Sequence, residues 1–335
     1  MFTQASDFLE PLKELHEKIR DAVILACEQQ SIQSLSSVSS DTEGDTIFAI
    51  DRVSEEVLID FLEREIAIHT PVVLIAEGIE PDGVLVLPKG SDEADARWRI
   101  IVDPIDGTRG IMFQKRPAWI LTGVAPNRGE QTSLADIQLA IQTEIPLVKQ
   151  HLSDVLWAIR GEGAHAERFN RISGEMIPFI PRASDSESFE NGFATVAKFF
   201  PGVQELLGRI HDQWVEELLG PPVEGKAQCF EDQYISSGGQ LYELMVGHDR
   251  LIADVRPLVE KKLSEQGIKM GLCSHPYDLC TELIAREAGV LVCDEHGKAL
   301  AAPLDIHSNV TWIGVANQKL YAQAMPALVK VLKNL

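Results

Sequence analysis

Two aspartates close together, Asp103 and Asp106, end the run Trp98-Arg-Ile-Ile-Val-Asp103-Pro-Ile-Asp106-Gly107-Thr108-Arg109-Gly. The apolar residues Ile100 to Val102 read as a buried strand that stops at the first carboxylate. Pro104 has no N–H with which to continue a ladder, so the sequence predicts a turn there. Carboxylates this near to one another repel unless positive charge sits between them. Mg²⁺ answers that need: it is a hard cation commonly held by one or two carboxylates plus phosphate oxygens. The backbone N–H groups of Gly107 and Thr108, with the Thr108 hydroxyl, then offer donors to a phosphate. The chemistry implied by this segment is metal-assisted handling of a phosphate group.

The elements around it must hold that turn rigidly. Phe8, Leu12, Leu15, Ile19 and Val23 recur at helical spacing and predict an amphipathic first helix. Residues 31–46 read as a polar connection, and Asp51 precedes a second helix with Val53, Val57, Leu58, Phe61 and Leu62 on one face. Pro71 to Glu77 reads as a buried strand ending in an acid, and 80–97 as an exposed hairpin or loop. Further strands are expected at 119–125, 136–142 and 155–159, a clustering that suggests a mixed or largely antiparallel sheet and not a regular βαβ series. The polar stretch Ser173–Ser188 is taken as a boundary between an N-terminal α+β part, 1–185, and a C-terminal α/β part, 186–335. A helix over 203–218 is stopped by Gly220-Pro-Pro. Beyond it helices alternate with short strands, through segments at 241–246 and 251–253, a helix over 278–288, segments at 290–293 and 312–315, and a last helix over 320–332.

Composition narrows the partners. The formal net charge of −21, spread along the 335 residues, would repel nucleic acid and an anionic membrane alike. It also makes a phosphorylated small molecule an awkward ligand unless metal ions reverse the local field. Five irregularly spaced cysteines do not form a secreted disulfide framework. The opening Met-Phe-Thr-Gln-Ala-Ser-Asp lacks a basic start and an apolar core, and no apolar segment reaches membrane-spanning length. These features lead us to expect a cytoplasmic, reduced protein.

Several segments in order resemble one family. Asp103-Pro-Ile-Asp-Gly-Thr108 matches its signature intact, preceded by Gly44-Asp45 through Asp51 and by Leu74-Ile-Ala-Glu77-Gly, and followed by His275-Pro-Tyr277-Asp278, Glu287-Ala-Gly-Val and Gly314-Val-Ala-Asn317. Together they resemble the Mg²⁺-dependent, lithium-sensitive phosphatase superfamily of inositol monophosphatase and fructose-1,6-bisphosphatase, from about residue 5 to the C-terminus. The resemblance implies an α/β protein with a layered α-β-α-β-α fold, a homodimer, two or three Mg²⁺ ions and inhibition by Li⁺. It implies that Glu77, Asp103 and the Ile105 carbonyl hold a first ion, and that Asp103, Asp106 and Asp278 hold a second with Asp103 bridging. Asp51 would serve a third, weaker ion. Glu77 and Thr108 would orient and deprotonate the attacking water, and the N–H groups of Gly107 and Thr108 would share the charge on the phosphoryl oxygens. Asp254 would bind a ring hydroxyl beside the small-residue loop Ser237-Gly238. The implied reaction is direct in-line hydrolysis of an inositol or sugar phosphate, with no phosphoenzyme.

The chain departs from that pattern at three places. Gly78 follows Glu77 where the family has a second acid, which makes Glu80 a competing ligand. Tyr277 replaces a tryptophan, and Leu279-Cys280 replace small residues. Arg109, directly after the threonine, suits a second anionic group, which keeps a 3'(2'),5'-bisphosphate nucleotidase-type phosphatase open as an alternative. A non-catalytic metabolite-binding relative is the other. Plainer readings exist for single residues: helix capping for Asp278 and Asp51, a salt bridge to Arg250 or Arg256 for Asp254, and a tight turn for Gly161-Glu-Gly163, which superficially matches a dinucleotide fingerprint. Cys273, His275 and Cys280 fit no common zinc spacing and read as spectator thiols and a loop histidine.

Overall fold

The computed structural model describes residues 2–30, 32–36, 38–41, 46–79, 82–265, 267 and 273–333. Helix α1 (Leu9–Gln29) buries Leu12, Leu15, Ile19 and Val23 along one stripe, as the spacing predicts. Where a polar connection is expected, a short helix α2 (Ile32–Leu35) and a hairpin of β1 (Val38–Asp41) and β2 (Thr46–Phe48) lead into α3 (Ala49–Phe61). Backbone pairing creates that hairpin, and a polar side-chain pattern carries no signal of it. Gly44 and Asp45 lie outside the described residues.

The larger sheet comprises β3 (Val72–Ala76), β4 (Val84–Leu87), β5 (Trp98–Asp106), β6 (Ala118–Pro126), β7 (Leu139–Ile145), β8 (Leu152–Ile159), β9 (Ala164–Asn170) and β10 (Met176–Phe179). Their order is β10-β9-β8-β7-β6-β5-β3-β4, antiparallel throughout except for the parallel pair β3–β5. The smaller sheet has the order β11-β12-β14-β13, built from β11 (Phe193–Val196), β12 (Asp249–Asp254), β13 (Leu291–Cys293) and β14 (Trp312–Val315). The remaining helices are α4 (Thr108–Met112), α5 (Gln204–Leu219), α6 (Ser237–Met245), α7 (Arg256–Ser264), α8 (Glu282–Glu287) and α9 (Gln318–Leu332). Gly220 ends α5 at φ +82°, a conformation that glycine adopts without a Cβ clash.

Alternation along the strands sorts the core into layers. On β5, Ile100 and Val102 face α1 and α3, whereas Ile101 faces the opposite side. That opposite side packs on α6 and α8, which also cover Ile252 and Trp312 of the smaller sheet. The far face of the smaller sheet, with Leu251, Ala253, Ile313 and Val315, is closed by α5, α7 and α9. The result is an α-β-α-β-α stack, the layered α/β architecture expected.

Two further local expectations differ from the structure. Pro104 does not turn the chain: β5 runs on to Asp106 with a bulge, so that Asp103 opposes Leu121 and Asp106 opposes Trp119. A bulge absorbs the missing N–H without ending the strand, and the turn comes at Gly107, whose φ is +94°. The predicted helix over 278–288 is split into a 3₁₀ turn, Tyr277–Leu279, and α8.

Candidate metal centre

Without the bulge, Asp103 and Asp106 would point to opposite faces of β5, because side chains alternate along a strand. Their partners Leu121 and Trp119 lie two residues apart and share one face, so the extra residue brings both carboxylates to the same side. The turn Tyr277–Leu279 delivers Asp278 to them. Carboxylate oxygens of the three lie within 4.8 Å of one another, with Asp103 and Asp106 buried and Asp278 partly so.

Each acid is held by neutral donors. The Ile105 N–H donates to Asp103 Oδ1 at 3.0 Å. The Ser236 hydroxyl and the Gly238 N–H donate to Asp106 Oδ2 at 2.8 and 2.6 Å, and the Gly239 N–H donates back to Ser236 Oγ at 2.8 Å. The start of α6 is thus folded onto Asp106, closely enough that a Cβ on Gly238 would stand 2.5 Å from Leu121 Cδ2 and 2.9 Å from Asp106 Oδ2 and displace them. The His275 N–H donates to Asp278 Oδ2 at 2.6 Å, a contact that replaces the helix-capping reading of this residue.

Burial, then the neighbouring carboxylates, raises Asp103 well above the ordinary aspartate range. Burial, then the charge of Asp278, pushes Asp106 up to about 8, against the pull of its donors. Left to itself the group must hold protons; a divalent cation could take their place. An all-oxygen donor set fits a hard ion such as Mg²⁺ rather than a thiophilic one. Burial and the three aspartates push the Cys280 thiol well above its usual range, so it stays protonated and offers no thiolate ligand. Cys273 donates to Glu260 Oε2 at 3.1 Å instead.

The other expected site residues are distributed around one cleft. Glu77, Ile105, Gly107, Thr108, Arg109 and Ser237 line it together with the three acids. Glu77 lines the cleft but is outside the close group of three, and Glu80 lies outside the described residues. Helix α3 begins at Ala49, so Asp51 sits within its first turn and not at its cap. The Thr108 hydroxyl lies 3.0 Å from Asp51 Oδ1 and 2.8 Å from the Ile105 carbonyl, and can donate to either.

Asp254 is placed differently from the expectation. It is fully buried, its Oδ1 accepts from the Arg256 N–H and Nε, and its Oδ2 accepts from Arg256 Nη2 and the Ser274 hydroxyl. These donors occupy the oxygens that a substrate hydroxyl would need. It is Arg256 that lines the cleft, its guanidinium 4.7 Å from the Phe199 ring and 5.6 Å from that of Phe200. Nothing in the residue pattern marks the two phenylalanines as cleft residues. His275 and Tyr277 also line the cleft, and their rings stack at 5.3 Å and 9°. Gly161 and Gly163 form the expected tight turn: their N–H groups donate to Glu287 Oε1 and Oε2 at 2.8 and 2.9 Å, which leaves that turn no role with a dinucleotide.

A strand-end carboxylate pair, completed by a third acid from between two sheets, defines a candidate centre for a hard cation within a five-layer fold. Solved structures share that fold. Fructose-1,6-bisphosphatase from Leishmania major in holo form matches at TM-score 0.69 and 12% identity, over 99% of this chain and 96% of that one. An IMPase from Thermotoga maritima matches at TM-score 0.60 and 18% identity, over 98% and 99%, and the extragenic suppressor protein SuhB of Bartonella henselae at 0.63 and 17%, over 97% and 99%. No family model and no curated protein sequence matches the chain. The likeness establishes that this chain has the sugar-phosphatase fold. Among the described residues no helix is long and apolar enough to cross a membrane.

Proposed function

We propose that the chain is a Mg²⁺-dependent phosphate monoester hydrolase of the inositol monophosphatase type, acting on a small hydroxylated substrate. The observation that carries this reading is the buried convergence of Asp103, Asp106 and Asp278 beside Gly107 and Thr108. Those three acids, with Glu77 and the Ile105 carbonyl, are the residues that would hold Mg²⁺. A bound ion of this kind neutralises phosphoryl oxygens and makes nearby water more acidic.

The chain's own groups do the rest. Gly107 and Thr108 offer backbone N–H groups to the phosphoryl oxygens, where charge builds in the transition state. Thr108 Oγ1 orients the attacking water; as it takes the water's proton it passes its own to Asp51 Oδ1, 3.0 Å away. Glu77, which also lines the cleft, holds the water in line with the scissile bond. Two parts, 1–185 and 186–335, a cytoplasmic location and a homodimer belong to the same proposal, and Met176 and Ile177, exposed on the edge strand β10, are suited to the dimer contact.

One observation favours a second reading. Arg256 and Arg109 both line the cleft while Asp254 does not, which suits a substrate with a second anionic group, such as a 3'(2'),5'-bisphosphate. Colorimetric phosphate release decides between them, across inositol, sugar and nucleoside bisphosphate substrates, with Mg²⁺ and with EDTA. We expect release that needs Mg²⁺ and is inhibited by Li⁺. A protein that binds Mg²⁺ yet releases phosphate from none of them is a metabolite-binding relative, and the hydrolase reading falls.

A further inference from the structure

We infer that Gln142 is a positioning residue for the metal centre, one that sets the spacing between Asp106 and Asp278; this rests on the reading of those acids as cation ligands. Strand β7 lies inside the larger sheet, and Gln142 opposes Leu121 on β6 and Leu156 on β8. Its side chain is fully buried, on the face that meets α6 and α8, among leucines and alanines. An amide placed there costs stability unless both its ends are bonded.

Both ends are bonded, and to two different segments of the centre. Gln142 Nε2 donates to the Gly238 carbonyl at 2.7 Å, and its Oε1 accepts from the Thr281 hydroxyl at 3.0 Å. The N–H of the same Gly238 donates to Asp106 Oδ2. Thr281, itself fully buried, comes two residues after the turn that carries Asp278. One side chain from the sheet therefore ties the clamp on Asp106 to the turn bearing Asp278. The Gly123 position on β6 reinforces this seating, since a Cβ there would stand 3.0 Å from the Cys280 carbonyl. Three like charges must sit within cation reach here, and their own repulsion pushes them apart. A rigid outer link that opposes this repulsion improves cation affinity, as groups behind first-sphere ligands do elsewhere, by roughly 10- to 100-fold.

Mn²⁺ binding, followed by electron paramagnetic resonance on the full chain, tests the link without reference to turnover. Gln142→Met keeps volume and removes both hydrogen bonds. Thr281→Val keeps shape and removes the hydroxyl, whereas Thr281→Ser keeps the hydroxyl and removes a methyl. We expect Gln142→Met and Thr281→Val each to weaken Mn²⁺ binding about tenfold or more, with Thr281→Ser close to the native chain. The double variant should be little worse than either single one, because both cut the same link. Should Gln142→Met fail to give a cooperative melt, the threonine pair decides. Native affinity in Thr281→Val, or affinity that follows the methyl and not the hydroxyl, overturns the inference while leaving the metal centre standing. A native chain that binds no Mn²⁺ overturns the metal centre itself, and the inference with it.

Discussion

Asp106 shows how a single residue can be legible and illegible at once. Its place in Asp-Pro-Ile-Asp-Gly-Thr marks it as chemistry, because two acids beside free N–H groups have few other uses. Its setting is not in the motif: Ser236 and Gly238, far along the chain, hold Oδ2. Asp106→Asn would put an amide NH₂ either against those donors or toward the other acids. We expect phosphate release to fall by at least about 100-fold, since a ligand matters more than the groups behind it. The metal-free protein should at the same time melt higher, because the raised pKa marks the buried charge as destabilising. Phosphate assays paired with thermal melts in EDTA check both halves; native turnover, or a lower melt in EDTA, contradicts the account. Asp254 is the opposite lesson. A resemblance points to a substrate contact, but Arg256 two residues on offers a nearer partner, and sequence alone does not rank a hydroxyl in solution against a guanidinium in the chain. Gln142 and Thr281 were unreadable for a related reason: a polar residue on a strand or in a turn looks like a surface residue until its partners are known.

Among elements, the pattern was readable wherever one face is buried and the strand lies inside a sheet. Strands β5, β6 and β8 are apolar runs, and α1 carries a plain helical stripe. Strand β10 closes the sheet's edge, and neither face of its neighbour β9 is fully buried: Ala164-His-Ala-Glu-Arg-Phe-Asn170 is half-buried and reads as polar loop. The β5 bulge was missed because nothing in the run around Pro104 distinguishes a kinked strand from a terminated one. Helix α1 also hides a polar device within its apolar stripe. His16 is buried against the sheet, with Nδ1 2.9 Å from Thr143 Oγ1 and Nε2 2.8 Å from Thr122 Oγ1. Burial, then the nearby Arg20 charge, lowers it to about 3. For a base lowered on folding, the stabilisation is present above the free value of 6.5 and is lost as pH falls toward 3. The native chain should therefore lose roughly 2–3 kcal/mol between pH 7 and pH 4.5 through this one residue. In His16→Met that component disappears, although the variant is less stable at pH 7. Urea melts at the two pH values measure the difference, and equal pH slopes in the two proteins would refute the docking role.

On the scale of the whole molecule, the acids come from different layers. Asp103 and Asp106 end a strand of the larger sheet, while Asp278 belongs to the turn beneath α8, between the two sheets. Closing the layers forces like charges together, so the folded chain resists its own final packing unless protons or a cation intervene. The two remedies compete, which fixes how stability responds to pH. Asp106, raised from 3.8 to about 8, contributes stability that is fully present below pH 3.8 and is lost as pH rises through about 8; Asp103 acts in the same direction. Mg²⁺ needs the deprotonated acids, so its contribution grows over the same interval. At 100 times its dissociation constant a ligand that binds only the folded state adds about 2.7 kcal/mol. We therefore expect Mg²⁺ to raise the melting temperature strongly at pH 8 and little at pH 5. Asp106→Asn should weaken that contrast, because it removes both a titrating site and a ligand. Melts at both pH values, with Mg²⁺ and with EDTA, provide the measurement. A magnesium effect that is equal at pH 5 and pH 8, or larger at pH 5, would show that the ion binds somewhere other than these three carboxylates.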